Sequence, residues 1–321
     1  TVRLPSNLGE FNNGLVAYYP FNGNANDESV NSNHGTVSGA ILTTDRNGSA
    51  SRAYNFDGTD DGISINVSNS LNITTQFTVS AWVNASTLDH FSYPHILKAR
   101  GPADEAISFH AAGPGYPANE KGKVGIYANS DGGGSLKADT LLPLNQWVHV
   151  AAVYDGSNYH IYQSGVLNGT KAAASMNIRD INKLEIGHDP VIPDGYWKGQ
   201  LDEVRIYNRA LNAAEVTQLH TLELPPAPVI TLHSVDTNAT IGAAVTFEVN
   251  ATGATAFQWQ KNGVDINGAT AATLNLTNVQ SDANGTYRAV VSNAGGSVTS
   301  NGALLQVGHG LKLWEFVTDS N

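Results

Sequence analysis

The chain has no cysteine in 321 residues, so neither disulfides nor thiolate metal sites can hold it together. This absence does not place it in the cytosol, because exported proteins also avoid cysteine. Charge is scarce too. Asp, Glu, Lys and Arg make up 14% of the residues, and 28 acids against 17 bases give a net charge of −11. That balance argues against nucleic acid as a partner, since phosphates require a surface rich in Lys and Arg. It is compatible with solubility, with Ca²⁺ and with neutral sugars. No apolar run approaches ~20 residues, so no membrane insertion is expected. The opening TVRLPSNLGEFN lacks the apolar core of a signal peptide, so an exported form is expected to have lost its leader or to carry it elsewhere.

What is present is enough apolar material, 41%, for real cores, and a length that suggests two or three domains. Short alternating runs dominate the first part: LVAYY (15–19), GISINV (62–67), FTVSAWV (77–83), VGIYA (124–128), WVHVAAVY (147–154) and YHIYQ (159–163). Gly, Asn and Asp punctuate them, as in an antiparallel all-β protein. One helix is expected over LNAAEVTQLH (211–220), with Asn212 as its cap. ELPPAP (223–228) reads as a stiff linker between a first domain at 12–222 and a second at 229–308. The second region reads as short strands with the spacing of a β-sandwich.

AYNFDGTDDGISI (53–65), FTVSAWVNAS (77–86), NQWVHVAAVYDGSNYHIYQSG (145–165) and GQLDEVRIYNRAL (199–211) occur in that order. Together they resemble the laminin-G-like jelly roll of bacterial secreted proteins, within the concanavalin A-like lectin/glucanase superfamily. The resemblance covers about residues 12–220. It implies an all-β, two-sheet antiparallel jelly-roll sandwich of roughly six or seven strands per sheet, with first and last strands side by side. Trp147, Trp82, Tyr154 and Phe56 recur at alternating positions and are expected to anchor the space between the sheets.

Asp202 and Glu203 pose the first site question. As sequential strand residues they should face opposite sides, so they cannot jointly flank a glycosidic bond. No paired-carboxylate, triad or H-E-x-x-H pattern points to catalysis or zinc. Calcium is the expected cofactor. The resemblance implies that it ties the ends of neighbouring first and last strands, and FNGNANDESVNSNHG (21–35) is rich in oxygen ligands. Asp202, placed on the face of Val204 and Ile206 at the rim of the core, is paired with Asp27, and Asn22 and Asn33 complete the expected set. Asp57, Asp60 and Asp61 in FDGTDDG lack the EF-hand pattern and read as a turn.

Sugar remains as a ligand. Aromatic faces among rigid Pro/Gly loops suit stacking on saccharides, and DHFSYPH (89–95), HAAGPGYPANEKG (110–122) and HDPVIPDGYWKG (188–199) carry them. Tyr93, His95, Tyr116 and Asp194 are the expected contacts. One of Tyr196 and Trp197 is expected in the core. AFQWQKNG…LNLTNVQSDANGTYRAVVSNAGGS (256–297) resembles an immunoglobulin-like domain. Trp259 matches its buried tryptophan and Tyr287 its tyrosine corner, while Val249 and Ala289 stand where a disulfide would be. GLKLWEFVTDSN, within a 309–321 tail, is similar to the start of a quinoprotein-type β-propeller. The expectation is a non-catalytic, calcium-stabilised carbohydrate-binding module with an immunoglobulin-like spacer. It would be monomeric within a longer bacterial chain, secreted or at the cell surface, with a polysaccharide or glycan as partner. A purely structural spacer and a part of a polysaccharide-degrading enzyme are the rival readings.

Overall fold

The computed structural model describes residues 11–66, 69–71, 73, 75–101, 105–128, 135–173, 181, 183–191, 195–222, 224–293 and 295–308. Asp194 and the 309–321 tail, with its propeller-like segment, lie outside these. The chain divides into two compact units, Thr1–Glu223 and Leu224–Asn321. The division falls inside the proline-rich linker, and Pro226 belongs with the second unit, where its carbonyl accepts the Asn293 side-chain amide at 2.8 Å.

The first unit is a sandwich of an eight-stranded and a seven-stranded sheet. The eight-stranded sheet runs Val166–Ala172, Asn158–Gln163, Val148–Tyr154, Phe77–Ala85, Lys198–Tyr207, Ala53–Asp57 and Ile41–Thr43, and Leu15–Tyr19 also pairs with Lys198–Tyr207. The first and last strands are therefore neighbours. The seven-stranded sheet runs Leu136–Lys137, Val124–Ala128, Glu105–Ala111, His95–Arg100, Lys183–Ile186, Gly62–Asn66 and Gly35–Ser38. Alternation drives the packing: Val79, Ala81 and Val83, Ile107 and Phe109, and Val150 and Ala152 send their side chains into one shared core. The sequence punctuation is explained locally. Ser164 and Gly165 both adopt positive φ (48° and 75°) in the two-residue turn between Asn158–Gln163 and Val166–Ala172.

Two of the expected core anchors, Phe56 and Tyr154, lie in that core. Trp147 does not: it is half-buried just ahead of Val148–Tyr154, before strand alternation is imposed. Trp82 is buried on the opposite face of its sheet, edge-on to His149 and stacked with His220. The core tryptophan is Trp197, fully buried, while Tyr196 is half-buried.

The outer face of the eight-stranded sheet is closed by Phe11 and the helix Ala213–Leu222, through Val216 and Leu219 on Ala151, Val153, Tyr162 and Tyr207. Asn212 Oδ1 accepts the Glu215 N–H and Glu215 Oε2 accepts the Asn212 N–H, a reciprocal cap. Among the described residues no helix is long and apolar enough to cross a membrane.

The second unit is an immunoglobulin-like sandwich. Ala256–Lys261, Gly285–Asn293 and Ala303–Gly308 form its main sheet with Thr237–Thr240 parallel at the edge, and Val245–Glu248 pairs with Thr273–Leu276. Trp259 is fully buried with Val249 and Ala289, the apolar pair standing where a disulfide would bridge the sheets. The Tyr287 hydroxyl donates to the Ala283 carbonyl at 2.8 Å, which makes the tyrosine corner.

Candidate ligand-binding site

The seven-stranded sheet turns a polar stripe away from the core. In Glu105–Ala111, Ile107 and Phe109 face inward, and Ser108 and His110 face outward yet are almost fully buried. What covers them is the two loops that the sequence marks as rich in aromatics. Gly113 locks these loops together. Its N–H donates to the Ser92 carbonyl at 3.0 Å, and a Cβ there would lie 1.7 Å from the Phe91 carbonyl oxygen, so only glycine permits the approach. The result is a pocket of about 310 Å³ lined by Tyr93, His95, Ser108, His110, Tyr116, Tyr127 and Ser135.

A hydrogen-bonded chain forms the pocket floor. His95 Nδ1 lies 3.3 Å from the Gly195 carbonyl, to which it can only donate. His95 Nε2 is then the acceptor for the Ser108 hydroxyl at 3.0 Å. His110 Nδ1 donates to Ser108 Oγ at 3.0 Å, which leaves His110 Nε2 to accept the Tyr116 hydroxyl at 3.0 Å. The two links in which Nε2 accepts, from Ser108 to His95 and from Tyr116 to His110, require a neutral imidazole. Burial supplies it, holding His95 down to about 3, helped by the Lys98 ammonium, and His110 well below its ordinary value, helped by Lys137. With the imidazole nitrogens engaged in the floor, the pocket offers the rings and hydroxyls of its tyrosines: Tyr93, 40% exposed, stands edge-on to Tyr116 at 5.2 Å.

Tyr93, His95 and Tyr116 are thus brought together. The sequence reading missed Ser108, His110, Tyr127 and Ser135. The signal for two of them was legible, since Ser108 and His110 alternate with the apolar Ile107 and Phe109 on one strand.

Each side chain expected to hold calcium has protein partners. Asp27 accepts four bonds, from Tyr18 N–H and Ser29 N–H on Oδ1 and from Ser29 Oγ and Asn33 N–H on Oδ2, at 2.8–2.9 Å. Four donors fill the lone pairs of a carboxylate. Asn22 Oδ1 accepts from Arg52 at 2.8 Å, and the Asn33 side-chain amide donates to Val16 O and Ser70 Oγ. Asp202 faces away from the core. Glu203 has φ +52°, and the register against Phe77–Ala85 shifts between Asp202 and Arg205. This bulge adds one residue to the strand, so Leu201, Val204 and Ile206 all reach the core while Asp202 turns outward. There Arg46 NH1 pairs with it at 2.6 Å, and the Arg46 guanidinium lies over Trp82. The bulge also brings Glu203 to the same guanidinium at 4.0 Å, so the two acids do not face opposite sides. Glu203 in addition takes Arg205 at 2.9 Å and the Tyr18 hydroxyl at 2.7 Å. Asp57, Asp60 and Asp61 come within 4.8 Å of one another. Asp57 accepts the Thr59 N–H and Asp61 the Asp57 N–H, the bonds of a turn.

Where calcium was expected to neutralise Asp202, a guanidinium does so. Arg46→Met is expected to destabilise the first domain by about 3–5 kcal/mol, the usual effect of stranding one buried charge. EDTA should leave the melting temperature of the unaltered protein unchanged. A chelator-induced fall that Asp202→Ala abolishes would restore the metal at this position.

The family model described as the concanavalin A-like lectin/glucanases superfamily matches residues 57–217, half of the 321-residue chain, and an immunoglobulin domain model matches residues 227–293. Comparison with curated proteins gives no match. Among solved structures, the binding domain of Paraclostridial Mosquitocidal Protein 1 is similar over 87% of this chain and 77% of that one, with 12% identity and a TM-score of 0.53. This likeness speaks for the fold alone. Domain 4 of AbnA, a GH43 extracellular arabinanase from Geobacillus stearothermophilus, solved with arabinotriose, covers 64% of this chain and 98% of its own at 23% identity and a TM-score of 0.48. Trypanosoma rangeli sialidase covers 64% of this chain at 19% identity and a TM-score of 0.48, and the match spans 32% of the sialidase.

Proposed function

The chain belongs to the concanavalin A-like lectin/glucanases superfamily, and from that premise we propose that its first domain binds a carbohydrate without cleaving it, in the pocket of Tyr93, Tyr116 and Tyr127. The observation that carries this reading is the pocket's make-up. Aromatic rings form its walls, and hydroxyl and imidazole groups are fixed in one orientation at its floor, the combination that holds a sugar by C–H stacking and directed hydrogen bonds. Glycoside hydrolysis needs two carboxylates across the scissile bond, and the described lining contains none. His95, Ser108 and His110 serve as a rigid base for Tyr116 rather than as acid–base groups.

In this reading the immunoglobulin-like domain is a spacer that presents the module, and the protein works outside the cell or on its surface as a monomeric segment of a polysaccharide-directed chain. A glycan array followed by calorimetric titration of the best binder tests it. Tyr116→Ala removes one wall and the end of the hydrogen-bonded chain, and is expected to weaken binding at least tenfold with the fold retained. Tyr93→Ala should weaken it less, because Tyr93 holds no polar partner in the floor. Absence of glycan binding by the unaltered chain would favour a purely structural spacer.

A further inference from the structure

The described lining of the pocket carries no charged side chain, since its members are Tyr, Ser and two neutral His. Two ammonium groups stand beside it. Leu136–Lys137 pairs with Val124–Ala128 so that Lys137 lies opposite Gly125, which in turn pairs with His110 of the pocket floor. With no side chain at Gly125, Lys137 folds across it. A Cβ at Gly125 would lie 2.8 Å from Lys137 Nζ, and that nitrogen sits 4.5 Å over the Tyr116 ring. Lys137 Nζ is buried and has no hydrogen-bond partner among the described residues. The second ammonium is that of Lys171, whose Nζ donates at 3.1 Å to the carbonyl of Ser135 in the pocket wall. Glu120 is the acid whose charge reaches Lys137.

An ammonium has three donors, and a ring face satisfies it only in part. Burial accordingly holds Lys137 down to about 8. An ammonium without a hydrogen-bond partner, beside a described lining without acids, favours an anion inside the pocket.

We propose that the saccharide taken by this pocket is acidic, a sugar bearing a free carboxylate, with Lys137 as its counter-ion. This rests on the carbohydrate reading above. Rotation about the outer bonds of Lys137, which Gly125 does nothing to hinder, carries Nζ from the Tyr116 ring to the carboxylate. The ring then stacks on the sugar face. Lys171 adds a second positive charge at the rim.

The test is an array on which each uronic-acid oligosaccharide stands beside its methyl ester, probed with the full chain and with Lys137→Met and Lys137→Arg. The free acids are expected to bind at least tenfold tighter than the esters, and the preference should weaken as salt is raised. Lys137→Met should bring the acid-to-ester ratio close to one, and Lys137→Arg should keep it. Equal binding of acid and ester, or a preference that survives Lys137→Met, overturns the acidic assignment and leaves the sugar site standing. If the unaltered chain binds no glycan, the carbohydrate reading itself fails and this proposal fails with it.

Discussion

Acidification below about pH 6 is expected to destabilise the first domain progressively, while the second domain keeps its own stability. His95, His110 and His149 are all at most 2% exposed, and burial is the leading cause that lowers each of them. Their folded values lie below the ordinary value near 6.5, so the unfolded chain takes up protons first and stability falls as pH drops through that value. Each contributes about 1.4 kcal/mol per pH unit. Asp202 works the other way. Burial and the Glu203 charge raise it despite Arg46, so the folded state takes up its proton first and part of the loss is offset. His90 and His220 are lowered in the same direction, but they are half-buried and add less. Among its described residues the second domain buries no histidine. Denaturant titrations at pH 7, 6 and 5 check this. A first domain equally stable at all three would show that these imidazoles are not held neutral, and the hydrogen-bonded floor of the pocket would lose its basis.

Trp259→Ala is expected to unfold the second domain and spare the first. Trp259 is fully buried, packs beside Phe247 at 6.3 Å and donates from Nε1 to the Ala271 carbonyl at 3.0 Å. Emptying such a site costs about 3–5 kcal/mol. A domain of this size has little stability to lose, and Val249 and Ala289 provide no covalent link between the sheets. Circular dichroism and a thermal melt should show one transition lost and one kept. A variant that melts near the unaltered value would mean that Trp259 does not organise this core.

The β-sandwich pair was legible because alternation and turn residues are local signals. LVAYY and VGIYA begin and end where the strands do, and the Asn212 cap starts the helix at Ala213. Tyr93, His95 and Tyr116 were legible for a related reason: aromatic residues set among Pro and Gly mark ordered loops, and the sheet then brings these loops together. Asp202 was misread because the periodic argument assumes an unbroken strand. The bulge at Glu203 depends on neighbours on both sides of Lys198–Tyr207, and nothing in GQLDEVRIY announces it. Its partner Arg46 lies 156 residues away in sequence, in a stretch with no pattern of its own. Lys137 was invisible for the same kind of reason, since its importance comes from standing opposite Gly125 in the sheet register.

The most direct test of the account is a crystal structure of the full chain soaked with the saccharide selected on the array. Ring density is expected stacked between Tyr93, Tyr116 and Tyr127, with the Tyr116 hydroxyl still bonded to His110 Nε2. Saccharide bound elsewhere, with this pocket empty, would contradict it.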